Sequence, residues 1–333
     1  MAYYTGLASS PTDLLNAIKA ACTDNGWTIS GSIFQKNGCF VNILTATNLL
    51  SIYGGTGTAS GDLTGKNTIK TPITVNGNPV MCASMMGVGS AIIFPVEYNI
   101  HIFNNPDEVY VVINYSVDSY SYLAFGQLKN PLSGTGNWYA GLCGNPVPKG
   151  FANSVHLNES VGSSGASDAS TNTTTPAGIF TLSTMSGAFS NSAQSCNSFV
   201  HHNLDNNVWS QAGTTVGDLN TTMGYAQTAS MAQSWLQYVG LTSKIPSKWN
   251  DETILLPIQP SIYRPSNKIS ILGTLSNARY VRLNNYEPKQ ILTLGSEKWR
   301  VYPWFKRNIT SPNDSQSSAH SATFGWAIRY DGA

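Results

Sequence analysis

Residues 96–117 read VEYNIHIFNNPDEVYVVINYSV, and this stretch decides the fold. Apolar and polar residues alternate along its first part, which is the period of a β-strand. Residues 104–107, Asn-Asn-Pro-Asp, are rich in turn formers, and a second apolar run begins at Glu108. We therefore predict a long β-hairpin, and we expect residues 120–125 to continue the same sheet.

Residues 1–57 predict a small module that contains both helix and strand. Ser10 and Pro11 are typical of a helix start, apolar residues then recur with the helical period, and Asn25-Gly26 ends the helix. Asn37-Gly38 is the strongest hairpin signal in the chain. The pattern predicts one helix packed on a four-stranded antiparallel meander, with strands at 27–30, 33–36, 39–44 and 49–53.

The rest of the chain is predicted to be rich in strands. The alternating sequence TFGWAIRY at 323–330 predicts a final strand that fixes the C-terminal end in a sheet. A loop is expected at 129–150 and a helix at 226–239. Shorter strands are expected at 252–263, where two prolines interrupt the run, and at 268–275, 278–283, 290–294 and 298–305.

These patterns predict an α+β fold that is predominantly β, in which the N-terminal helix packs on an antiparallel meander and a β-rich body follows. We divide the chain into four parts. They are the helix and meander module at 1–57, a β-sheet region at 58–157, a Ser/Thr/Asn/Gly-rich insertion or linker at 158–198, and a β-rich C-terminal region at 199–333.

Charged residues are scarce, at 11% of the 333 residues, and the net charge is +1. A surface built from Asn, Ser, Thr and Gly loses little side-chain entropy when another subunit covers it. The composition therefore favours an oligomer, and the small net charge argues against general binding of nucleic acid. Charge is also uneven, because residues 261–333 hold ten Lys and Arg against four Asp and Glu.

Cysteine usage and hydropathy limit the possible cellular context. The five cysteines are an odd number without clustered spacing, so we expect reduced core residues and neither a disulfide framework nor a zinc site. No apolar run reaches the length of a membrane span, and the first residues lack the pattern of a signal peptide. We therefore expect synthesis in the cytoplasm.

Residues that could carry catalysis are few and poorly arranged. Asp107-Glu108 and Asp251-Glu252 are the two acidic doublets, and both are expected at turns where acids cap or solvate the chain. His101 could pair with Glu97 on one strand face, although a partly exposed structural histidine is the simpler interpretation. His201-His202 would point to opposite faces of a strand. The sequence predicts no catalytic residue, no metal site and no cofactor.

Residues 299–307 interleave aromatic and basic side chains, a pattern that could stack on bases, form a core or form a subunit interface. We interpret the segment as an amphipathic strand that contributes to the core and to contacts between subunits. The interface candidates in and around it are Trp299, Arg300, Tyr302, Trp304, Phe305, Arg307, Trp326 and Arg329.

Three stretches of the chain resemble a family of virion structural proteins from tailed bacteriophages and prophages. They lie at both ends and in the middle: residues 2–6 with the helix and Asn25-Gly26-Trp27, residues 105–115 with 124–126, and residues 297–304 with 324–332. None is a motif of known chemistry. The resemblance implies a component of the tail, neck or baseplate that is present in several copies.

From the sequence we expect a non-enzymatic virion protein that forms a ring- or collar-like homo-oligomer with other tail, neck or baseplate proteins. Two alternatives stay open at this point. One is a cell-wall or capsule hydrolase, for which no clear acid pair is found. The other is a virion-displayed module that binds a host surface glycan through Tyr120, Tyr122, Trp138 and Tyr139.

Overall fold

The computed structural model describes most of the two ends of the chain and much of its middle. The described residues are 1–46, 49–66, 93–129, 138–143, 198–204, 207–212, 229–232, 253–264, 268–304 and 323–332, with the short segments 74–75, 78–79, 81–84, 86–87, 90–91, 246–247, 249 and 306–307.

These residues form one helix, α1 (Pro11–Asp24), and a long series of strands. The strands up to residue 127 are β1 (Ala2–Ala8), β2 (Thr28–Ser30), β3 (Ile33–Lys36), β4 (Cys39–Ala46), β5 (Leu49–Gly55), β6 (Gly57–Ala59), β7 (Asp62–Thr64), β8 (Thr74–Val75), β9 (Asn78–Pro79), β10 (Met81–Ser84), β11 (Met86–Gly87), β12 (Ser90–Ala91), β13 (Val96–Asn104), β14 (Asp107–Ser116) and β15 (Ser119–Gln127).

The later strands are β16 (Trp138–Cys143), β17 (Ser198–Leu204), β18 (Asn207–Ala212), β19 (Ala229–Ala232), β20 (Leu256–Ile258), β21 (Ser261–Arg264), β22 (Lys268–Ile271), β23 (Leu275–Arg282), β24 (Ile291–Leu294), β25 (Glu297–Pro303) and β26 (Phe324–Arg329).

Three sheets organise the fold. The central sheet has ten strands in the order β1-β13-β14-β15-β16-β17-β18-β19-β21-β22, and within it only β18 and β19 pair in parallel. The N-terminal sheet has the order β10-β5-β4-β3-β2, and the C-terminal sheet has the order β20-β23-β26-β25-β24. Three two-stranded ribbons, β6-β7, β8-β9 and β11-β12, complete the described strands.

Helix α1 forms where the sequence supplies both end signals. The Ser10 hydroxyl accepts a hydrogen bond from the Asp13 amide at 3.1 Å, and Pro11 fills the first turn, where a missing N–H costs nothing. The helix ends at Asn25, and Gly26 follows with a φ of 79°. Its apolar face is buried and consists of Leu14, Leu15, Ile18, Ala21 and Cys22.

The hairpin of β13 and β14, with β15 beside it, is covered on both faces. Alternate residues such as Ile100, Val109 and Val111 join the core beneath α1 and the N-terminal sheet. The residues between them, such as Tyr110 and Val112, join a second core beneath the C-terminal sheet. The central sheet is therefore the middle of three layers, and its strands β13–β15 carry almost no exposed side chain.

The C-terminal sheet crosses the central sheet at a large angle. At one end of β14, Glu108 contacts the start of β23, whereas Asn114 near the other end contacts Lys289, just before β24. Strand β14 thus crosses four of the five strands of the C-terminal sheet, from β23 to β24. This is the orthogonal kind of sheet packing.

The structure confirms the predicted β-rich α+β class, with one N-terminal helix packed on antiparallel sheets. Helix α1, the hairpin at Asn37-Gly38, the β13–β14 hairpin and the final strand β26 are all present. Pro260 lies between β20 and β21, as expected, whereas Pro257 lies inside β20, where the register with β23 shifts. The predicted meander gains a fifth strand, β10, which pairs with β5.

Two local predictions are wrong. Residues 138–143 form β16 and not a loop, because pairing with β15 and β17 overrides the surrounding turn-forming residues. Residues 229–232 form β19 and not helix, because β18 and β21 pair with them on both sides. The remainder of the predicted helix at 226–239 lies outside the described residues.

The proposed domain limits do not coincide with the limits of the sheets. Strand β1, from the first module, pairs with β13, and the central sheet continues through β22 in the C-terminal region. The Ser/Thr/Asn/Gly-rich insertion at 158–198 lies outside the described residues except for Ser198, where β17 begins.

Gly126, in β15 of the central sheet, has no room for a side chain. It lies opposite Glu108 on β14, its φ is 147°, and a Cβ placed there would lie 2.2 Å from the Asp107 carbonyl oxygen and 2.7 Å from the Glu108 Cα. Backbone atoms cannot move aside as a flexible side chain does. A glycine at this position therefore lets β15 approach the start of β14 closely.

We predict that Gly126→Ala lowers the free energy of unfolding by at least about 2 kcal/mol, because strain and overlap with backbone act together. Urea denaturation followed by circular dichroism measures this change. Gly31→Ala is the matched control, since Gly31 has a φ of 62° but no atom within 4 Å of the added Cβ. The prediction fails if the two substitutions cost the same.

Candidate functional site

Two adjacent acids at the start of β14, Asp107 and Glu108, connect all three layers. They are almost fully buried, and because successive strand residues point to opposite faces, they enter different cores. Asp107 faces the N-terminal sheet and Glu108 faces the C-terminal sheet. We call these two residues the acidic doublet. Their opposed directions do not allow them to act on one substrate as a glycosidase pair does.

Asp107 is held by the hairpin between β3 and β4. Its carboxylate lies 2.7 Å from the Lys36 ammonium and accepts a hydrogen bond from the Asn37 side-chain amide at 2.6 Å. Lys36 also donates to the Asn25 carbonyl at 2.8 Å and to the Asn104 side chain at 3.0 Å. One lysine thereby joins the end of α1, the hairpin and the β13–β14 turn.

Glu108 is held by the first residues of β23. Its two oxygens accept hydrogen bonds from the backbone amides of Ser276 at 2.7 Å and Asn277 at 3.0 Å, and from the Asn277 side chain at 2.7 Å. Burial raises the pKa of Glu108 to about 7, and these donors lower it in part. Unlike Asp107, this acid is held by neutral amides and not by an ammonium group.

His101 is a buried structural residue and not a partly exposed one. Its Nε2 lies 2.9 Å from the Tyr302 hydroxyl, and its ring stacks at an angle against Tyr3 and Tyr330. Burial, with the nearby Arg300 charge, lowers the pKa of His101 to about 3. The ring is therefore neutral at physiological pH. The predicted partner, Glu97, instead forms an ion pair with Lys289 at 2.6 Å.

Arg300 joins the two ends of the chain. Its guanidinium donates to the Tyr3 hydroxyl and to the Lys289 carbonyl, the latter at 3.2 Å. The same group lies over the rings of Tyr3 and Tyr330, at 5.3 and 5.4 Å from their centroids, and these two rings meet edge to face. Such cation–π contacts stabilise the meeting of β1 with the C-terminal sheet.

Four of the predicted interface residues lie in the chain's own core. Alternate residues of β25 enter different cores, since Trp299 shares one cluster with Val301 and Tyr302 shares another with Trp304. Both faces are covered by other residues of the same chain, however, so neither subunits nor bases can reach these rings. The aromatic candidates corrected from interface to core are Trp299, Tyr302, Trp304 and Trp326, each at most 3% exposed.

The arginine candidates keep partial access to the surface. Arg307 forms an ion pair with Glu287, and Arg329 lies within 4 Å of both Glu297 and Asp331. Arg300 is partly exposed beside Tyr3. Phe305 lies outside the described residues. The interface prediction therefore loses its four described aromatic residues, and the three arginines stay candidates.

The four predicted glycan contacts are buried as well, because both faces of β15 and β16 are covered. Tyr120, Tyr122 and Tyr139 belong to the core beneath the C-terminal sheet, and Trp138 belongs to the core beneath the N-terminal sheet. Tyr122 donates a hydrogen bond to the Pro303 carbonyl. These rings form no platform on which a sugar could stack, which corrects the prediction that they contact a glycan.

The other candidates show no arrangement that could hold a metal or a ligand. His202 is buried and His201 is half-buried, as expected for neighbours in a strand. Asp251-Glu252 lies outside the described residues. Among the described residues no three His, Cys, Asp or Glu side chains come together as metal ligands would, and no helix has the length and apolarity to cross a membrane. Cys22 and Cys39 are buried free thiols, as predicted.

A cavity between the central and C-terminal sheets has a volume of only about 10 Å³. Its lining is apolar and includes Val111, Leu275 and Ile328. A volume of this size accommodates roughly one water molecule and no larger ligand.

Sequence reasoning missed the acidic doublet as a buried element, although a signal was present. A period of two places Glu108 on the face of Tyr110 and Val112, and Asp107 on the face of Val109 and Val111. Acids in phase with apolar residues on both faces indicate buried partners on both sides. Tyr3 and Tyr330, which enclose Arg300, carried no comparable signal.

No protein-family model matches this chain, and a search of curated proteins finds no match.

We predict that Lys36→Met lowers the free energy of unfolding by about 3 kcal/mol, because it leaves the Asp107 carboxylate buried without its counter-ion. Denaturant unfolding at pH 7 measures the loss. Lys66→Met is the control, since Lys66 pairs with the half-exposed Asp62, and it should cost less than about 1 kcal/mol. Equal losses would show that Lys36 does not stabilise the junction through Asp107.

A second prediction concerns acid. The folded pKa of His101, about 3, lies below the ordinary value of 6.5, so the unfolded chain binds more protons between these two values. Folding stability should therefore fall as the pH drops from 6.5 towards 3, by about 2 kcal/mol at pH 5. Unfolding of the wild type and of His101→Gln across this range isolates the effect. A difference between the two proteins that stays constant with pH would contradict it.

Proposed function

We propose that this chain is a non-enzymatic structural protein of a tailed bacteriophage virion, which oligomerises in the tail, neck or baseplate. The observation that carries the proposal is the use of its ionisable groups. Asp107, Glu108 and His101, the residues of the described core best able to perform chemistry, are all engaged in joining layers of the fold. These groups therefore hold the layers of the fold together and are not free to act on a substrate.

The resemblance of both ends and the middle of the sequence to virion structural proteins gives the proposal its biological setting. The resembling stretches include most of β14, β25 and β26, which contribute to both inner cores. The resemblance thus falls on the residues that determine the layered architecture. The partners in this setting are further copies of the chain and neighbouring virion proteins.

Assembly would use surface groups other than the aromatic residues first considered. Strand β24 ends the C-terminal sheet and pairs on one side only among the described residues, with β25. Its sequence, Ile-Leu-Thr-Leu, has no charge and no proline, and Ile291 and Leu294 are 42% and 46% exposed. Native proteins usually protect such an edge with a charge, a bulge or a covering element. We therefore place one subunit contact at β24.

The low charge of the chain supports this arrangement. With only 11% charged residues, the surface has few long flexible side chains to immobilise when a neighbour covers it. Arg329 has a 39% exposed side chain and lies within 4 Å of Glu297, the residue of β25 that pairs with Leu294, so it supplies a polar group beside the apolar edge.

We predict that the purified protein forms a defined multimer and that Ile291→Lys with Leu294→Lys shifts it towards monomer, because lysine on an edge strand opposes pairing. Size exclusion with light scattering measures the mass. The control is Val117→Lys, an 86% exposed position in the turn between β14 and β15, which should leave the mass unchanged.

The setting is tested separately by mass spectrometry of purified phage particles from a host that carries the gene. Several copies per particle are expected. A wild-type protein that is monomeric at all concentrations and absent from particles would overturn the proposed function.

A further inference from the structure

Glu108 is an acid in an unusual place. Its side chain has no exposed surface, and it lies between the central and C-terminal sheets, about as far from water as the apolar residues around it. Three N–H groups donate to its oxygens, all from the second and third residues of β23. One side chain of the central sheet thereby holds the start of a strand in another layer.

The donors around Glu108 are neutral. Two are backbone amides, one is the Asn277 side-chain amide and a fourth is the Tyr110 hydroxyl, so the carboxylate has hydrogen bonds but no cation. The two arginines of β23 are occupied elsewhere: Arg279 donates to carbonyls of its own strand and lies over the Trp299 ring, and Arg282 lies over the Phe324 ring. Neutral donors compensate a buried negative charge only in part.

The titratable groups that face Glu108 are phenols. Tyr110 lies on the same face of β14, and Tyr139 lies on β16 in the same core. Burial first, and then the Glu108 charge, raises the pKa of both phenols well above 10, so neither is charged near neutral pH. Beyond them lies the buried Cys39 thiol, whose pKa burial also raises. Asp107 points to the opposite face, where Lys36 neutralises it.

This environment is satisfied with a proton on Glu108. One oxygen of the neutral acid still accepts from Asn277, and the other still accepts from the Ser276 amide through its remaining lone pair. The acid proton then points towards the neighbouring phenol hydroxyls, which act as acceptors. Loss of the proton keeps the three N–H donors in place but introduces a charge that no cation balances.

We propose that Glu108 is a proton-controlled latch between the central and C-terminal sheets, closed when the carboxyl is protonated and weakened when it ionises. The geometry gives the direction. Separation of β23 from β14 exposes Glu108 to water, where the ionised form is well solvated. Ionisation therefore favours the separated arrangement, and a rise in pH from about 4.5 to about 7 loosens the contact. The same burial raises the pKa of the Glu108 carboxyl from 4.5 to about 7, in the direction that this geometry requires.

The titration of Glu108 can be observed directly in the full-length wild-type protein. The chain has six glutamates, so ¹³C labelling of glutamate side chains gives six carboxyl resonances. We expect one to titrate near pH 7 and to be missing from Glu108→Gln. If all six titrate below about pH 5.5, the proposal is wrong, and this result does not depend on whether the variant folds.

The latch itself is tested by hydrogen exchange of the Ser276 and Asn277 amides, corrected for the intrinsic dependence on pH. From pH 5 to 9, their protection in the wild type should fall up to about pH 7 and level off above it, by at most about 75-fold, which is the part above pH 5 of the roughly 300-fold change that a shift from 4.5 to about 7 allows. Protection that does not change while Glu108 titrates near 7 would overturn the latch.

Two variants complete the test. In Glu108→Gln the side chain cannot ionise, so corrected protection should be independent of pH. Glu97→Gln is the matched control, because Glu97 lies on the same sheet but is partly exposed and pairs with Lys289, which lowers its pKa. The control should follow the wild type from pH 5 to 9. A wild-type pH dependence that persists in Glu108→Gln would assign the effect to another group.

Discussion

Burial of strands β13–β15 on both faces is the constraint on which the rest of the fold depends. A strand that is apolar on both sides requires two covering layers, since either layer alone would leave half of its side chains in water. Helix α1 with the N-terminal sheet supplies one layer, and the C-terminal sheet supplies the other. The ten-stranded sheet thus contributes one face to each of two cores, and each core includes residues from distant parts of the sequence.

The acidic doublet shows how charged side chains are accommodated in a strand that is buried on both faces. Asp107 and Glu108 are adjacent in the chain and both are almost inaccessible to water, yet only one of them has a cation beside it. Asp107 meets an ammonium group, whereas Glu108 meets only amides and phenols. The difference arises from the layers and not from the strand that carries both residues. Charge at one junction is thus fixed by an ion pair, and at the other it depends on solution conditions.

Local features of the fold could be predicted from the sequence because their causes are local. The hydroxyl of Ser10, the ring of Pro11 and the positive φ of Asn37 and Gly38 act within a few residues of their own position. Strand β16 could not be predicted in this way, because it forms through pairing with β15 and β17, which are separated from it in the sequence. The aromatic residues of β25 show the same limit. Alternation indicates which side chains share a face, but it does not indicate whether the same chain or a neighbour covers that face.

The pairing of β1 with β13, and the enclosure of Arg300 by Tyr3 and Tyr330, affect the order in which the molecule can form. During synthesis β1 is made first, its sheet partner follows about ninety residues later, and its aromatic and basic contacts arrive only with the last residues. Contacts of such long sequence separation are associated with slow folding, and an unpaired strand is exposed to wrong partners meanwhile. Strand β1 can therefore pair with β13 soon after residue 104 is made, whereas the enclosure of Arg300 by Tyr3 and Tyr330 has to wait until residue 330 is made.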